Sequence, residues 1–517
     1  MNTKYSRKYR DIGWERMKNK EYKVVSWKDA TFSAKYVTFA WLLIPLVALL
    51  CVWYKASIDS DSFFLRATGK YILEHREVPK INPFTFHEDF KIIIQQWVVD
   101  VINYLLYDNF GVTGMYAWTI IMFIAVSFMC YKYLGMYTDN NKAKIYGLLF
   151  SVCIIYGFVN TRPSIITMVI LLCELTILEM VCKGKSKRLL CIIPILSIVG
   201  INCHSSMWPM VIIVMLPYVF PPLPYFKSIL KIKEHLLEHK EIWLTMIVSF
   251  LVGFLNPNGI NGMAYVFLSY SNASTENNIA ELQSPKWFSY FGIIIMICTL
   301  GIAFWTYKNK DRLDWKSLYL ALGTWLLAIK NLRSAWMLIL GAVPLLVILI
   351  DKRVKNSIKI KHTNSNYRIL ALIYTFGAVA IFSIVVTGIK PNFTEDTIIS
   401  PVKAVDYLDS LSDEEKEDLV IFNSLVNGGY LEWRGYKTYI DQRPELYCKE
   451  INGKADIYNE YLDVKNGRVD FQKFLDKYGF NYLIVLNYED GFQTYLECSN
   501  EYEVVVEADQ YKVFKKI

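Results

Sequence analysis

The sequence predicts a polytopic α-helical membrane protein of about eleven spans, with a small α/β domain at its C-terminal end. Three observations lead there. Of the 517 residues 54% are hydrophobic, and they fall in runs longer than the core helices of soluble proteins need. Connections rich in Lys and Arg alternate with nearly bare ones, the bias that orients membrane spans. From residue 391 onward the long apolar runs stop and the charge reverses, with 14 Lys and Arg against 25 Asp and Glu in a chain of net charge +8. The basic excess therefore belongs to the membrane part and serves topology, and nucleic acid is not an expected partner.

The first apolar run, Tyr36 to Tyr54, follows a basic segment (1–35) with ten Lys and Arg from Lys4 to Lys35. It exceeds a signal-peptide core and has no small-residue cleavage site after it, so it reads as a retained anchor. Further spans are expected near 112–134, 145–160, 164–182, 189–202, 207–225, 242–255, 288–306, 317–330, 335–350 and 369–389. One register satisfies every short loop. It places the N-terminus in the cytoplasm, with Lys142, Lys144, Lys183 to Arg188, Lys227 to Lys240, Lys308 to Lys316 and Lys352 to Arg368 on the inner side. The short outer connections keep only Arg162, Lys286, Lys330 and Arg333. The membrane domain is then 36–390, its first outer loop is 55–111, and the tail 391–517 lies outside the plasma membrane.

Two stretches have the pattern of surface helices. In Ile94 to Asp108, Ile94, Trp97, Val98, Val101, Tyr104 and Leu105 recur at helical spacing, with Gln95, Gln96, Asp100, Asn103 and Asp108 opposite. Phe226 to Lys240 alternates Lys with Ile and Leu. The tail alternates strand-like runs (Leu419 to Phe422, Lys437 to Ile440, Tyr482 to Leu486, Tyr502 to Val506, Tyr511 to Phe514) with helical ones at Val402 to Leu408 and Phe471 to Tyr478. Most cysteines sit in or beside apolar runs as small core residues. Cys448 and Cys498 fall in the tail, either bonded or free.

Polar residues unwelcome near lipid gather at the outer ends of the spans: Asp59, Asp61, Arg162, Asn202, His204, Asn256, Glu281 and Arg333. A shared polar cavity opening outward accounts for them together. Asp59 and Asp61, two residues apart in an extended segment, would lie on one side, where they could hold a divalent cation or act as a base. Arg162 and Arg333 suit a phosphate, being permanently charged forks of donors, or could neutralise the aspartates. Gln96, Trp97 and Asp100 of the surface helix complete the expected lining.

Three groups of motifs carry a resemblance. The first is Asp59-Ser-Asp61-Ser-Phe-Phe with Ala67-Thr-Gly-Lys-Tyr-Ile-Leu-Glu-His75, Val78-Pro79, Asn82-Pro-Phe-Thr-Phe86 and Gln96-Trp97-Val98. The second is Arg162-Pro163, Asn202-Cys-His204 and Asn256-Pro-Asn-Gly259. The third is Asn427-Gly428-Gly429-Tyr430-Leu-Glu-Trp433 with Tyr439-Ile-Asp441-Gln-Arg443-Pro-Glu-Leu-Tyr447. Together they resemble bacterial polytopic proteins related to the GT-C superfamily of membrane glycosyltransferases. Two positions depart from the pattern: Gln96 stands for an acid before the Trp, and Asn82 for an Asp before the Pro.

The resemblance implies a GT-C-like fold and a transferase that moves a sugar from a polyprenyl-phosphate donor in the bilayer to an extracytoplasmic glycan, lipid or protein acceptor. It assigns the base to Asp59 or Asp61 and the lipid phosphate to Arg162 and Arg333. The tail, tethered to the same outer face, would shape the acceptor site, and its motif of Gly428, Gly429, Tyr430, Asp441 and Arg443 would form a structural turn or a recognition surface. A transporter or flippase, or a non-catalytic assembly protein acting through its tail, are the competing readings.

Overall fold

The computed structural model describes residues 60–269, 275, 278–311, 313–354 and 396–517. Asp59, the basic segment 1–35, the expected spans 36–54 and 369–389, and the boundary at 390 lie outside them. The longer helices before the tail are α1 (Asp61–His75), α2 (Trp97–Leu134), α3 (Asn141–Ile155), α4 (Ser164–Cys182), α5 (Ile192–Cys203), α6 (Ile229–Glu238), α7 (Lys240–Leu251), α8 (Tyr290–Lys308), α9 (Trp315–Lys330) and α10 (Ala342–Val354).

Four helical stretches among the described residues are long and apolar enough to cross a membrane: α2, α4, α8 and Leu332–Asp351. Shorter apolar stretches cover Ala143–Ile155 and Ser205–Val219. The protein is a membrane protein on this ground. α4 is apolar apart from the buried Glu174 and Glu179, and Ile165, Met168, Leu171, Leu172, Leu175 and Leu178 are fully buried in the common core, as expected of a central helix. The expected span 207–225 is broken instead into Pro209–Ile213 and Leu216–Val219. Pro209 and Pro217 fall in the first turns of these pieces, where a missing N–H costs nothing.

α2 joins the expected surface helix to the following span. At Gly111 the backbone takes φ 59 and ψ −153, and the helix axis breaks there. No atom lies within 4 Å of a Cβ built at Gly111, so backbone conformation is what requires glycine. Before the break the polar side is the buried one: Asp100 and Asn103 are covered while Leu105 and Phe110 are 43% and 68% exposed. The cover is α1. A Cβ on Gly69 would stand 2.2 Å from the carbonyl oxygen of Asp100, so glycine lets the two backbones touch.

The connections rich in Lys and Arg gather at one end of the bundle. Lys187 pairs with Glu241 at 2.7 Å. Lys316 reaches the buried Glu179 at 2.6 Å, and Tyr218 donates to the same carboxylate at 2.8 Å. α6 forms where the basic surface helix was expected.

The tail is built on a four-stranded sheet of β1 (Ile421–Asn423), β2 (Tyr482–Leu486), β3 (Tyr502–Glu507) and β4 (Tyr511–Lys516), in the order β1-β2-β4-β3. β1 runs parallel to β2, and β4 is antiparallel to both β2 and β3. All five residues of β2 are buried. Leu483 and Val485 join one apolar cluster and Tyr482, Ile484 and Leu486 another, so its unbroken Tyr-Leu-Ile-Val-Leu run reflects cover on both faces. Helices α11 (Val402–Asp409), α12 (Gly428–Trp433) and α13 (Phe471–Tyr478) pack around it. The expected strand Lys437 to Ile440 is absent. Thr438 makes a single bridge to Thr85 of the first outer loop, so that run crosses between domains rather than joining the sheet. Cys448 is buried and Cys498 exposed, and both are free thiols.

Gly69→Ala should lower stability by about 1–3 kcal/mol or more through the α1–α2 clash. Thermal unfolding of the purified protein in detergent measures it, and an unchanged midpoint would refute the close packing.

Candidate functional site

Asp61 is the first residue of α1, not part of an extended segment as expected. Its helix forms because Phe63, Phe64, Leu65 and Ala67 are buried, a tertiary gain that overrides the loop-like Ser-Asp-Ser. From this position the carboxylate Oδ2 meets Arg162 Nε at 3.0 Å. Arg162 Nη1 reaches both oxygens of Glu281 at 3.2 Å. Three elements far apart in sequence are thereby linked as acid, base and acid.

Local chemistry aims each of them. The side chain of Asn160 accepts from the Arg162 backbone N–H at 3.1 Å, turning the chain just before Pro163 leads into α4. Glu281 lies in a short 3₁₀ turn, Ala280–Leu282. The following Gln283 carbonyl accepts from Leu332 N–H at 2.9 Å, which ties this turn to the segment bearing Arg333. Asn331 caps that segment by accepting from Ser334 N–H at 2.8 Å.

Arg162, Glu281, His204 and Arg333 line one cleft of about 120 Å³ together with Asn160, Ser164, Phe291 and Trp336. Arg333 is exposed and makes no ion pair or side-chain hydrogen bond among the described residues. His204 is 4% exposed, and its Nδ1 is 2.7 Å from Thr167 Oγ1. Burial, reinforced by the Arg333 charge, pushes its pKa down to about 3, so it is a neutral hydrogen-bonding group at the cleft wall. Asn160, Ser164, Phe291 and Trp336 were not singled out in the sequence, although the Asn-Thr-Arg-Pro turn marks the first of them.

Five expected lining residues belong elsewhere. Asn202 accepts from Trp97 Nε1 at 2.8 Å and donates to the Leu255 carbonyl at 2.9 Å. Asn256 closes its own turn through the Gly253 and Gly259 carbonyls at 2.7 and 2.9 Å. Gln96 and Asp100 are buried under α1, each with a side-chain oxygen that has no hydrogen-bond partner among the described residues. These polar groups brace the loops against one another instead of facing the cleft, because loop carbonyls at helix ends need donors as much as a ligand would.

The tail motif is an interdomain core. Arg443 donates to Asp441 through Nη2 at 2.6 Å and to Glu432 at 2.9 Å, and both carboxylates are fully buried. Its Nη1 reaches Thr68 of α1 at 3.4 Å, and Tyr447 donates to Asp441 at 3.1 Å. Gly428 and Gly429 open α12 where no side chain fits: a Cβ on Gly428 would lie 2.1 Å from the Ile440 carbonyl oxygen, and one on Gly429 2.6 Å from Gln442 Oε1. Tyr430 stands edge-on to Phe63 of α1 at 5.0 Å. Arg66, a further buried cation of α1, is enclosed by the rings of Phe63, Tyr107 and Trp433 at 4.7, 4.1 and 4.7 Å. Neither Arg66 nor Glu432 was expected to matter.

Burial acts against both carboxylates of this cluster. It raises Glu432 well above the ordinary range, with the neighbouring Asp441 charge adding to the effect. At Asp441 burial is outweighed by the charge and hydrogen bonds of Arg443, which hold it below the ordinary value. The two acids beside one guanidinium are thus shifted in opposite directions.

No family model matches the chain, and no curated protein matches it. Its fold is found among solved structures. The chain is similar to the archaeal oligosaccharyltransferase AglB of Archaeoglobus fulgidus, solved with an inhibitory peptide and a dolichol-phosphate: TM-score 0.57, 11% identity, 88% of this chain and 70% of that one. The likeness is one of fold, over most of this chain. An Archaeoglobus fulgidus oligosaccharyltransferase tethered to an acceptor peptide, and its apo form, align at TM-score 0.47 and 12% identity. They cover 86% and 89% of this chain and 69% and 70% of theirs.

Asp441→Asn should destabilise the protein by about 3–5 kcal/mol, because it strands the buried Arg443, while Glu432→Gln should change stability by less than about 1 kcal/mol. Since the folded pKa of Glu432 is raised, its contribution is full below the ordinary carboxylate range and is lost as pH rises through the folded value. Asp441 has the opposite sign, its contribution being lost as pH falls through its depressed value. Unfolding midpoints of both variants from about pH 4 to 8 check this: Glu432→Gln should flatten the loss at higher pH, and equal damage by both variants would refute the assignment.

Proposed function

We propose that the protein is a GT-C-type glycosyltransferase that moves a sugar from a polyprenyl-phosphate donor to an acceptor on the extracytoplasmic face of a bacterial plasma membrane. The observation that carries this reading is the cleft, which holds Arg162, Glu281 and a second arginine, Arg333, with Asp61 paired to Arg162 at its edge, on a fold like that of AglB. The outward orientation follows from the Lys and Arg bias of the connections, the basic ones being grouped at the opposite end of the bundle. A glycan, lipid or protein of the cell envelope is the acceptor.

In this mechanism Asp61, with Asp59 as the other candidate, takes the proton from the acceptor nucleophile as it attacks the anomeric carbon. A bond forms from the acceptor atom to that carbon while the carbon–oxygen bond to phosphate breaks, and the electron pair leaves on the lipid phosphate. Arg333 meets the developing charge there, since Arg162 is already engaged by Asp61 and Glu281. Trp287 and Phe288, 58% and 94% exposed in the same connection as Glu281, suit contact with the polyprenyl chain or headgroup layer. The tail, locked onto α1, forms the roof under which the acceptor binds. A divalent cation does not fit the arrangement as it stands, because the guanidinium of Arg162 already supplies the positive charge between the two carboxylates.

One observation favours transport as a second reading. Glu174, within α4, is fully buried, and neither of its carboxylate oxygens has a hydrogen-bond partner among the described residues. Isolated intramembrane acids often serve proton or substrate pathways.

Turnover of polyprenyl-phosphate sugars by the purified protein in nanodiscs, with a cell-envelope acceptor extract, tests the proposal. Asp61→Asn should reduce the rate by about 10²–10⁴-fold and Arg333→Ala by about 10²–10³-fold. A chelator should leave turnover unchanged. No turnover with any donor, together with substrate movement that requires Glu174, would replace this reading with transport.

A further inference from the structure

Two histidines and a glutamate come together at the end of the bundle away from the cleft. The segment holding them connects Ser205–Val219 with α7, whereas His204 and Asn256 lie at the far ends of those two stretches. α6 and its C-terminal cap carry His235, Glu238 and His239, and one ligand atom from each falls within 4.8 Å of the others. Helical spacing brings this about, since positions i, i+3 and i+4 share a face. The two imidazole centroids are 4.5 Å apart, an arrangement in which histidines one turn apart can share a metal ion.

His235 is held in place for such a role. The ring of Tyr225 stands edge-on to it at 6.1 Å. Its Nε2 is buried and has no hydrogen-bond partner among the described residues, while the backbone of Phe220 engages the ring. A buried ring nitrogen without a partner is costly unless something fills the place in front of it.

We propose that His235, Glu238 and His239 form a binding site for a divalent transition-metal ion of the zinc type. Two imidazoles and a carboxylate suit zinc, cobalt or nickel and not magnesium or calcium, which prefer oxygen ligands. Bonds of about 2.0–2.1 Å place tetrahedral ligands roughly 3.4 Å apart, so the three atoms need to close in by no more than a side-chain rotation on a fixed helix. Three protein ligands leave a fourth position for water or another donor. The bound ion would clamp the end of α6 beside the Leu223–Lys227 turn that carries Tyr225, ordering a connection whose Lys231, Lys233 and Lys240 would otherwise repel one another.

The test uses the full chain purified without a histidine tag, stripped with a chelator and titrated with Co²⁺, whose visible absorption reports nitrogen and oxygen ligands, and then with Zn²⁺ in competition. The expected result is one ion per chain, with binding weakened about 100-fold or more by His235→Asn or His239→Asn and about tenfold by Glu238→Gln. His75→Ala should leave binding unchanged, and sugar turnover should persist in every variant, because these residues lie outside the cleft. Matching elution of the variants on size exclusion separates lost ligands from lost folding. No cobalt absorption at micromolar metal, or undiminished stoichiometry in the double variant His235→Asn/His239→Asn, overturns the site.

Discussion

A single buried guanidinium sets the geometry by which the tail docks onto the helical part of this molecule. Arg443 cannot be removed from water alone, and its two carboxylates come from different turns of the tail, Glu432 in α12 and Asp441 beyond it. The cluster is completed from outside the tail by Thr68 and by the ring of Phe64, which lies 4.6 Å from the guanidinium carbon. The tail therefore buries its charge against α1. The same helix carries Asp61 at its first residue, so the docking that satisfies Arg443 also presents a carboxylate to Arg162 in the turn before α4. The first outer loop adds a second tie: Thr85 donates to the Thr438 carbonyl at 2.7 Å, and the His87 ring meets the Tyr439 carbonyl at 3.0 Å.

The cleft has a corresponding charge logic. Asp61 and Glu281 balance Arg162 and Arg333 in number, but not in geometry: Arg162 is consumed by both acids while Arg333 faces open space. His204 beside it adds no charge, since burial keeps it neutral. An anion entering the cleft would find one arginine already neutralised and a second one available. That asymmetry separates the two arginines, which the sequence alone leaves equivalent.

Elements whose pattern is set by cover on all sides were the most legible. α4 runs from 164 to 182 as its apolar run does, between Arg-Pro and Lys-Gly-Lys. β2 likewise coincides with its Tyr-Leu-Ile-Val-Leu run. What spacing does not encode is partnership across hundreds of residues. Asp61 reads as a loop residue until Phe63 and Phe64 have a tail to pack against. Asn202 and Asn256 look like cavity residues for the same reason that they serve as braces, because both roles require an amide at the outer end of a span. Glu432 was concealed between two aromatic neighbours, Tyr430 and Trp433, whose contacts with α1 explain why an acid is buried there at all.

The two departures from the family pattern now acquire a physical account. Asn82 still supplies the oxygen that its position needs, accepting from the Phe84 N–H at 3.0 Å and closing the turn before Pro83, and an amide does this without adding a charge at 6% exposure. Gln96 stands four residues before Asp100, both buried under α1, where a second carboxylate would place two like charges in one covered space. An amide at 96 leaves Asp100 as the lone acid of that pair, its pKa raised well above the ordinary value by burial, which the Arg443 charge offsets only in part. Both replacements therefore remove charge from the layer that joins the segment between α1 and α2 to the tail, while the two carboxylates that pair with Arg162, Asp61 and Glu281, are retained.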